Sequence, residues 1–161
     1  IKYFLSSKNR LKHFPGNKYE FVGVELPLDL PVKNNVDFIA FVDLILKDKT
    51  TGKIKIWDFK TSLMGWNKWQ KADPAKYSQV ILYKAFYSKK FNVSLNDIEV
   101  EFFILKRKLM ENVEFPQSRI QIFEPLNNKQ SVIESITGFS NFIESCFNPD
   151  GTYKKIGRAH V

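Results

Sequence analysis

The segment 36–46, VDFIAFVDLIL, restricts the possible folds of this chain more than any other. As an extended strand it is apolar on both faces, because its even-numbered positions are all apolar and three of its odd-numbered ones are as well. A strand with two apolar faces is normally central in a sheet and covered on both sides. We therefore expect a sheet with helices packed on it. The odd-numbered face carries Asp37, Ile39, Phe41, Asp43 and Ile45.

The surrounding patterns predict an α/β fold with a mixed central β-sheet flanked by helices. The segment 47–53 is predicted to be the turn of a hairpin that joins the strands 36–46 and 54–60. Asp73-Pro74 is a strong helix start. Pro27 and Pro31 indicate that the first strand is followed by a turn or an edge segment. We expect one domain over 1–161, with an N-terminal segment 1–18, a core 19–147 and a tail 148–161. Within it, strands are predicted at 19–26, 36–46, 54–60, 98–106 and 119–123, and helices at 74–90 and 129–147.

Composition narrows the class of protein. Lys and Arg number 25 against 17 Asp and Glu, a net charge of +8, which favours phosphate-rich partners or an anionic surface unless it only aids solubility. No apolar run is long enough for a membrane span. The single cysteine, Cys146, excludes an internal disulfide and an all-cysteine zinc or iron–sulfur site from this chain. We expect a cytoplasmic protein without a secretory signal, and the missing initial Met suggests a fragment, a processed chain or an unseen start.

Acidic residues occupy strand positions where a charge is costly. Asp43 lies on the doubly apolar strand, and Asp58 and Lys60 share one face of the next strand. Asp58 follows Asp43 by fifteen positions, which suits a hairpin that places them side by side, and Glu25 could reach the same place. Mg²⁺ or Mn²⁺ would compensate such carboxylates. Otherwise Asp58 and Lys60 form a simple ion pair and Asp43 caps a turn.

Two aromatic features follow the hairpin. Gln79 and Tyr83 are four positions apart on one face of the predicted helix, where Tyr83 could equally be a core residue and Gln79 a surface one. In the preceding loop, Trp66 and Trp69 alternate with lysines such as Lys68. Aromatic rings between lysines suit single-stranded nucleic acid, because bases stack on the rings while lysines contact phosphates. The alternative is that both tryptophans belong to the core.

Together these residues resemble the PD-(D/E)XK nuclease superfamily. The similarity rests on Glu25, on the segments Phe38–Asp43 and Ile56–Ser62, and on Gln79 and Tyr83. It is strongest to the RecB-like branch, which includes phage exonucleases and helicase-linked nuclease domains. The resemblance implies a restriction-endonuclease-like core and a DNA-cleaving enzyme that uses one or two Mg²⁺ or Mn²⁺ ions.

The resemblance also implies roles for individual residues. Asp43 would be the central metal ligand, Asp58 the second, and the carbonyl oxygen of Phe59 a third. Lys60 would be the catalytic lysine, and Glu25 would hold a second metal or a metal-bound water. The remaining positions would contact DNA: Gln79, Tyr83, Thr61 and Ser62.

The expected partner is DNA, as single strands or duplex ends, within repair, recombination or phage DNA processing. The chain would act in the cytoplasm of a bacterium or of a phage-infected host, alone or within a larger chain or a replication or recombination complex. One departure from the family is Ala40, where relatives usually have Gly. Two other functions stay open: a module of the same fold that binds nucleic acid without cutting it, and an unrelated basic scaffold.

Overall fold

The computed structural model describes Tyr3 and residues 6–155 of the chain. The predicted tail 148–161 is therefore described only as far as residue 155. Of the predicted N-terminal segment, residues 1, 2, 4 and 5 lie outside the described part. The rest of that segment contains a short helix, α1, Ser7–His13.

The order of elements is close to the predicted one. Asp73 caps the long helix as expected, because its carboxylate accepts a hydrogen bond from the amide of Ala75 at 3.0 Å. The loop after the hairpin contains a short helix that the sequence did not predict. After α1 the elements are β1 (Tyr19–Pro31), β2 (Asp37–Asp48), β3 (Ile54–Ser62), α2 (Lys68–Ala72), α3 (Pro74–Phe91), β4 (Ile98–Lys106), β5 (Ile120–Phe123) and α4 (Lys129–Cys146).

The five strands form one mixed sheet in the order β1-β2-β3-β4-β5. β3 and β4 are parallel and the other neighbours are antiparallel, which confirms a mixed sheet flanked by helices. β1 is an edge strand, as its prolines indicated. It is longer than predicted, however, and continues through Pro27 to Pro31, because an edge strand can lack an amide donor on its open side.

Each face of the sheet carries its own core. The larger core lies between the sheet and the helices α3 and α4, and its fully buried side chains include Ile56, Ile81 and Phe102. The smaller core lies on the opposite face around Trp57 and Phe103. The segment after α1 covers this smaller core, because Phe14 packs on the rings of Trp57 and Phe103 at centroid distances of 4.8 and 5.5 Å.

The predicted burial of β2 is wrong in two respects. Ile39 and Phe41 were expected to be covered, but they are 66% and 59% exposed. The expected alternation also breaks: Val42 and Ile45 both face the larger core, whereas Leu44 faces the smaller one. The strand therefore changes sides around residue 43, a local irregularity that a simple period of two cannot reproduce.

Aromatic contacts hold the outer part of β1 and β2 against the helices. The paired segments 27–31 and 37–41 form a two-stranded ribbon that extends beyond the β2–β3 pairing. Phe38 of this ribbon stacks on Phe86 of α3 at a centroid distance of 4.1 Å and meets Phe139 of α4 edge-on at 5.6 Å. The position of the ribbon therefore depends on this three-ring cluster.

This packing predicts that replacing two nearby phenylalanines has effects of very different size. Phe38→Ala should lower the free energy of unfolding by about 2–3 kcal/mol, slightly less than the roughly 3–5 kcal/mol typical of a fully buried Phe. Phe41→Ala on the opposite, exposed side should change it by less than about 0.5 kcal/mol. Urea denaturation of both variants tests this, and equal losses would contradict the assigned packing.

Candidate active site

The strands β2 and β3 diverge at the candidate site. Their pairing ends with Leu44 opposite Trp57, so the same register places Asp43 opposite Asp58 as the next pair. Beyond this point β2 stays paired only with β1, and β3 only with β4. The predicted side-by-side placement of the two aspartates is thus confirmed by the register of the hairpin.

The Asp43 carboxylate bridges the point of divergence. Its Oδ2 accepts a hydrogen bond of 2.7 Å from the backbone amide of Phe59, which satisfies a donor that β2 no longer pairs. The side chain therefore reaches across to β3, which accounts for the change of sides in β2 near this residue. Asp43 therefore bonds to a neighbouring strand and does not cap a turn. Its face of the strand is not closed by apolar side chains, because the nearby Phe41 is exposed.

Asp58 is a buried carboxylate with incomplete partners. Its side chain is 4% exposed, and its Oδ2 lies 2.7 Å from Nζ of Lys60. Among the described residues this oxygen nevertheless has no well-formed hydrogen bond. Burial raises the pKa of the Asp58 carboxyl, the Lys60 ammonium opposes this, and the negative charge of Asp43 adds to the increase.

A chain of polar contacts fixes the position of Lys60. Its ammonium donates a hydrogen bond to Oε1 of Gln79 at 3.1 Å, and Nε2 of Gln79 donates to the hydroxyl of Tyr83 at 2.7 Å. Burial raises the pKa of the Tyr83 hydroxyl, and the charge of Asp58 raises it further, so the phenol stays neutral. Gln79 and Tyr83 therefore connect α3 to the end of β3. Neither the surface role considered for Gln79 nor the core role considered for Tyr83 includes this connection.

The donor set here suits a hard divalent cation. Two carboxylates lie next to each other, and one of them has a buried oxygen that lacks a hydrogen-bond partner. Carboxylate and carbonyl oxygens are the ligands that Mg²⁺ and Mn²⁺ prefer. Asp43, Asp58 and the Phe59 carbonyl could hold such an ion. No group of three or more His, Cys, Asp and Glu side chains is gathered at one point within the described residues.

Glu25 lies on β1 at the level of the two aspartates but is not part of their pair. Val24 pairs with Leu44 and Leu26 with Val42, so Glu25 stands opposite Asp43 in the register of β1 and β2. It is exposed and has a left-handed φ of +47°, which is uncommon for a non-glycine residue. The structure therefore does not bring Glu25 into the carboxylate pair, and its metal-binding role stays a prediction.

The two predicted phosphate contacts at the end of β3, Thr61 and Ser62, have different surroundings. Thr61 is exposed. Ser62 is part of a turn, because its hydroxyl donates to the carbonyl of Gly65 at 2.9 Å and lies 3.2 Å from the amide of the same residue. Thr61 is therefore free to contact a ligand through its side chain, whereas the hydroxyl of Ser62 has a structural partner.

The two tryptophans of the loop have different environments. Trp66 packs on Phe102 and Phe123 at centroid distances of 4.9 and 6.0 Å, as the core alternative expected. Trp69 is 73% exposed, and the ammonium of Lys68 lies 4.8 Å from the centre of its ring. Of the three loop residues predicted to contact nucleic acid, Trp69 and Lys68 therefore lie together on the surface, whereas Trp66 packs on the core.

Sequence reasoning missed a basic run beside the site. Lys106 is the last residue of β4 and Arg107 and Lys108 follow it, and the parallel pairing of β3 with β4 brings this run next to Ser62. The backbone amide of Arg107 donates to the carbonyl of Ser62 at 2.8 Å, and the guanidinium of Arg119 donates to the Lys106 carbonyl at 3.2 Å. The three consecutive basic residues at a strand end were the available signal.

The fold and this site define the class of the protein. The sheet with its flanking helices is the restriction-endonuclease-like α/β core, with two carboxylates and a lysine at the divergence of two strands. The model of the PD-(D/E)XK nuclease superfamily matches residues 3–145, and the chain belongs to this superfamily. Its members are typically nucleases, which act on nucleic acids and usually use divalent metals. A search of curated proteins found no match.

The helices carry no sign of a membrane span. Within residues 6–155 none of them is both long and apolar enough to cross a bilayer. The two longest, α3 and α4, each have 18 residues; α3 packs against the sheet, and α4 packs mainly on α3.

The burial of Asp58 predicts that its charge destabilises the metal-free protein. Asp58→Asn should raise the free energy of unfolding by about 0.5–2 kcal/mol in the presence of a chelator, because the amide keeps the shape of the side chain and removes the buried charge. The matched control is Asp97→Asn, an exposed position where we expect less than about 0.5 kcal/mol. A loss of stability on Asp58→Asn in urea denaturation would mean that the ion pair with Lys60 outweighs the cost of burial.

Proposed function

We propose that this chain is a metal-dependent deoxyribonuclease that hydrolyses DNA phosphodiester bonds. The observation that carries the proposal is the pair of Asp43 and Asp58 at the divergence of β2 and β3, with Lys60 2.7 Å from Asp58. A module that only bound nucleic acid would gain nothing from the buried Asp58 carboxylate, because burying a charge is costly even beside the Lys60 ammonium. Membership of a nuclease superfamily supports the same function.

The proposed reaction is attack of a water molecule on phosphorus, which forms a new P–O bond and expels one ester oxygen. Mg²⁺ or Mn²⁺ held by Asp43, Asp58 and the Phe59 carbonyl, as one or two ions, would supply a more acidic water and neutralise phosphate charge. The Lys60 ammonium is proposed to stabilise the negative charge that develops on the phosphate oxygens. The attacking water releases a proton to solvent, and the departing oxygen takes up a proton from solvent. Glu25 is proposed to hold a metal-bound water at the edge of the site.

Gln79 and Tyr83 are proposed to orient Lys60 and to contact the DNA strand. Gln79 accepts from Lys60 at 3.1 Å, so it limits the rotation of a long and otherwise mobile side chain. Tyr83 holds the other end of the Gln79 amide. A fixed ammonium stabilises developing charge at lower entropic cost than a free one.

The substrate backbone is proposed to follow the basic end of β3 and β4. Thr61 and the backbone near Ser62 would contact phosphate oxygens, while the run 106–108 would attract the strand by charge. Lys68 and Trp69 would add a stacking surface for a base of a single-stranded end. Trp66 is not included, because it packs on the core.

The finer assignment is an exonuclease of the RecB-like branch that acts on DNA ends. It would serve repair, recombination or phage DNA processing in the cytoplasm of a bacterium or of an infected host. The net charge of +8 supports binding to DNA, and the motif residues support the branch. The competing function is a non-cleaving module of the same fold, which would bind DNA equally well in the presence and absence of metal.

A digestion experiment tests the proposed activity. End-labelled linear DNA should be degraded in Mn²⁺ and left intact with a chelator, and closed circular DNA should resist an exonuclease. Asp43→Ala and Asp58→Ala should abolish degradation and the binding of Mn²⁺ measured by isothermal titration, because each removes a proposed ligand. Asp97→Ala, which removes an exposed carboxylate at the other end of β4, should retain both. Metal binding unchanged in both site variants would contradict the assigned ligands.

A second test separates chemistry from binding at Lys60. Lys60→Ala should lower the rate at saturating DNA by about 10²–10³-fold, the loss typical of a group that stabilises developing charge, with little change in DNA affinity. The control is Lys129→Ala, an exposed lysine at the start of α4, which should leave the rate unchanged. If affinity falls and the saturated rate survives, Lys60 is a phosphate anchor.

A further inference from the structure

The turn that follows β3 carries two exposed apolar side chains, those of Leu63 and Met64, which form an apolar tip. Leu63 is 49% exposed and Met64 is 50% exposed. A single exposed apolar residue is ordinary on a protein surface, but here two neighbours lie directly after the strand that carries Lys60. Leu63 is three positions after Lys60, so their Cα atoms are at most about 11 Å apart. The apolar tip is therefore close to the proposed reaction site.

Hydrogen bonds brace the backbone of this turn. Besides the contacts between Ser62 and Gly65, the side chain of Gln121 on β5 bonds to both polar backbone groups of Trp66. The Trp66 amide donates to Oε1 of Gln121 at 2.7 Å, and Nε2 of Gln121 donates to the Trp66 carbonyl at 3.1 Å. Gly65 has a φ of +99°, and a Cβ there would lie 3.0 Å from the same Oε1, so glycine permits this close approach. A fixed backbone therefore carries the apolar tip.

Exposed cations are attached to the same turn through the backbone. The amide of Lys108 donates to the Leu63 carbonyl at 2.8 Å, and the side chains of Lys108 and Arg107 are exposed. Cations attract the phosphates of DNA whatever its sequence. Apolar side chains such as Leu and Met are the ones that DNA-binding proteins insert between stacked bases. The turn therefore offers one kind of group to the phosphates of DNA and another to its bases.

The end of a duplex is where such an insertion is least costly. A terminal base pair stacks on a neighbour on one side only, so separating it breaks fewer contacts than opening the interior. A separated base also has a ring to stack on, because Trp69 is 73% exposed on α2, the element after the turn. In the chain the apolar tip lies between Lys60 and this ring. The arrangement therefore suits the opening of a duplex end.

We propose that Leu63 and Met64 act as a wedge that separates the terminal base pairs of a DNA duplex, so that one strand reaches Lys60 unpaired. This inference rests on the proposed function, because it assumes that a DNA end occupies the site. The wedge makes and breaks no covalent bond; it exchanges the stacking of base pairs for packing of the bases on two apolar side chains. Blunt duplex ends are therefore substrates as well as single strands.

The test uses a DNA hairpin with one blunt end and 2-aminopurine in its terminal base pair, whose fluorescence rises when the base unstacks. The label is placed in turn on each strand, because a base that stacks on Trp69 can be quenched. The hairpin is titrated with the protein in Ca²⁺, and a gel checks that the DNA stays intact. Wild-type protein should raise the fluorescence of at least one label. The double substitution Leu63→Ser and Met64→Ser should abolish the rise and weaken binding of the blunt hairpin about tenfold. Tenfold corresponds to about 1.4 kcal/mol, the stacking free energy of one base-pair step.

A second probe and a matched variant control the comparison. A hairpin whose two terminal pairs are mismatched is already open, so the double variant should bind it like wild type. Leu126→Ser removes an exposed leucine near Ile98, at the opposite end of β4, and should behave like wild type with both hairpins. The single substitutions Leu63→Ser and Met64→Ser should each give part of the loss, and they test the wedge if the double variant fails to fold.

The outcomes separate this inference from the proposed function. Failure of wild type to bind the blunt hairpin, or to raise the fluorescence of either label, would overturn the wedge. So would an equal rise in the double variant, or equal losses of affinity for blunt and mismatched hairpins. Degradation of linear DNA in Mn²⁺ without any rise would leave the nuclease intact and refute the wedge alone. A rise that depends on Leu63 and Met64, without degradation of any DNA, would support the wedge and refute the nuclease.

Discussion

The hydrogen bond from the Phe59 amide to the Asp43 carboxylate is the contact on which the site depends. It closes the β2–β3 ladder with a side chain in place of a backbone carbonyl, so the strands can part while the Phe59 amide keeps a hydrogen-bond partner. Their divergence opens a cleft between β2 and α3. The same contact holds Asp43 next to Asp58, which is costly to bury unless a positive charge compensates it.

The parts of this arrangement that depend on local sequence could be predicted. A hairpin of known length fixes which residues face each other, so the spacing of Asp43 and Asp58 was enough to pair them. The start of α3 follows from Asp73 and Pro74, because a cap and a fixed φ act within one turn. The ordered motif then indicated the superfamily that the comparison confirmed.

The parts that depend on tertiary contacts could not. The change of sides in β2 arises from a side chain that bonds to another strand, which a period-two pattern does not contain. Trp66 and Trp69 are chemically alike and three positions apart, and the tertiary contacts with Phe102 and Phe123 decide that Trp66 packs on the core. The basic run 106–108 comes near Ser62 through a parallel pairing across a long connection, and no spacing within the sequence encodes that proximity.

The three-ring cluster around Phe38 has a consequence for the order in which the protein folds during translation. Phe139, one of its three rings, lies about a hundred positions after Phe38 in the chain. While the ribosome is still synthesising the segment before α4, Phe38 has the ring of Phe86 but not that of Phe139. The packing of the ribbon is therefore completed only when α4 has been made, so a nascent chain already contains every motif residue before the ribbon beside the site has all its contacts.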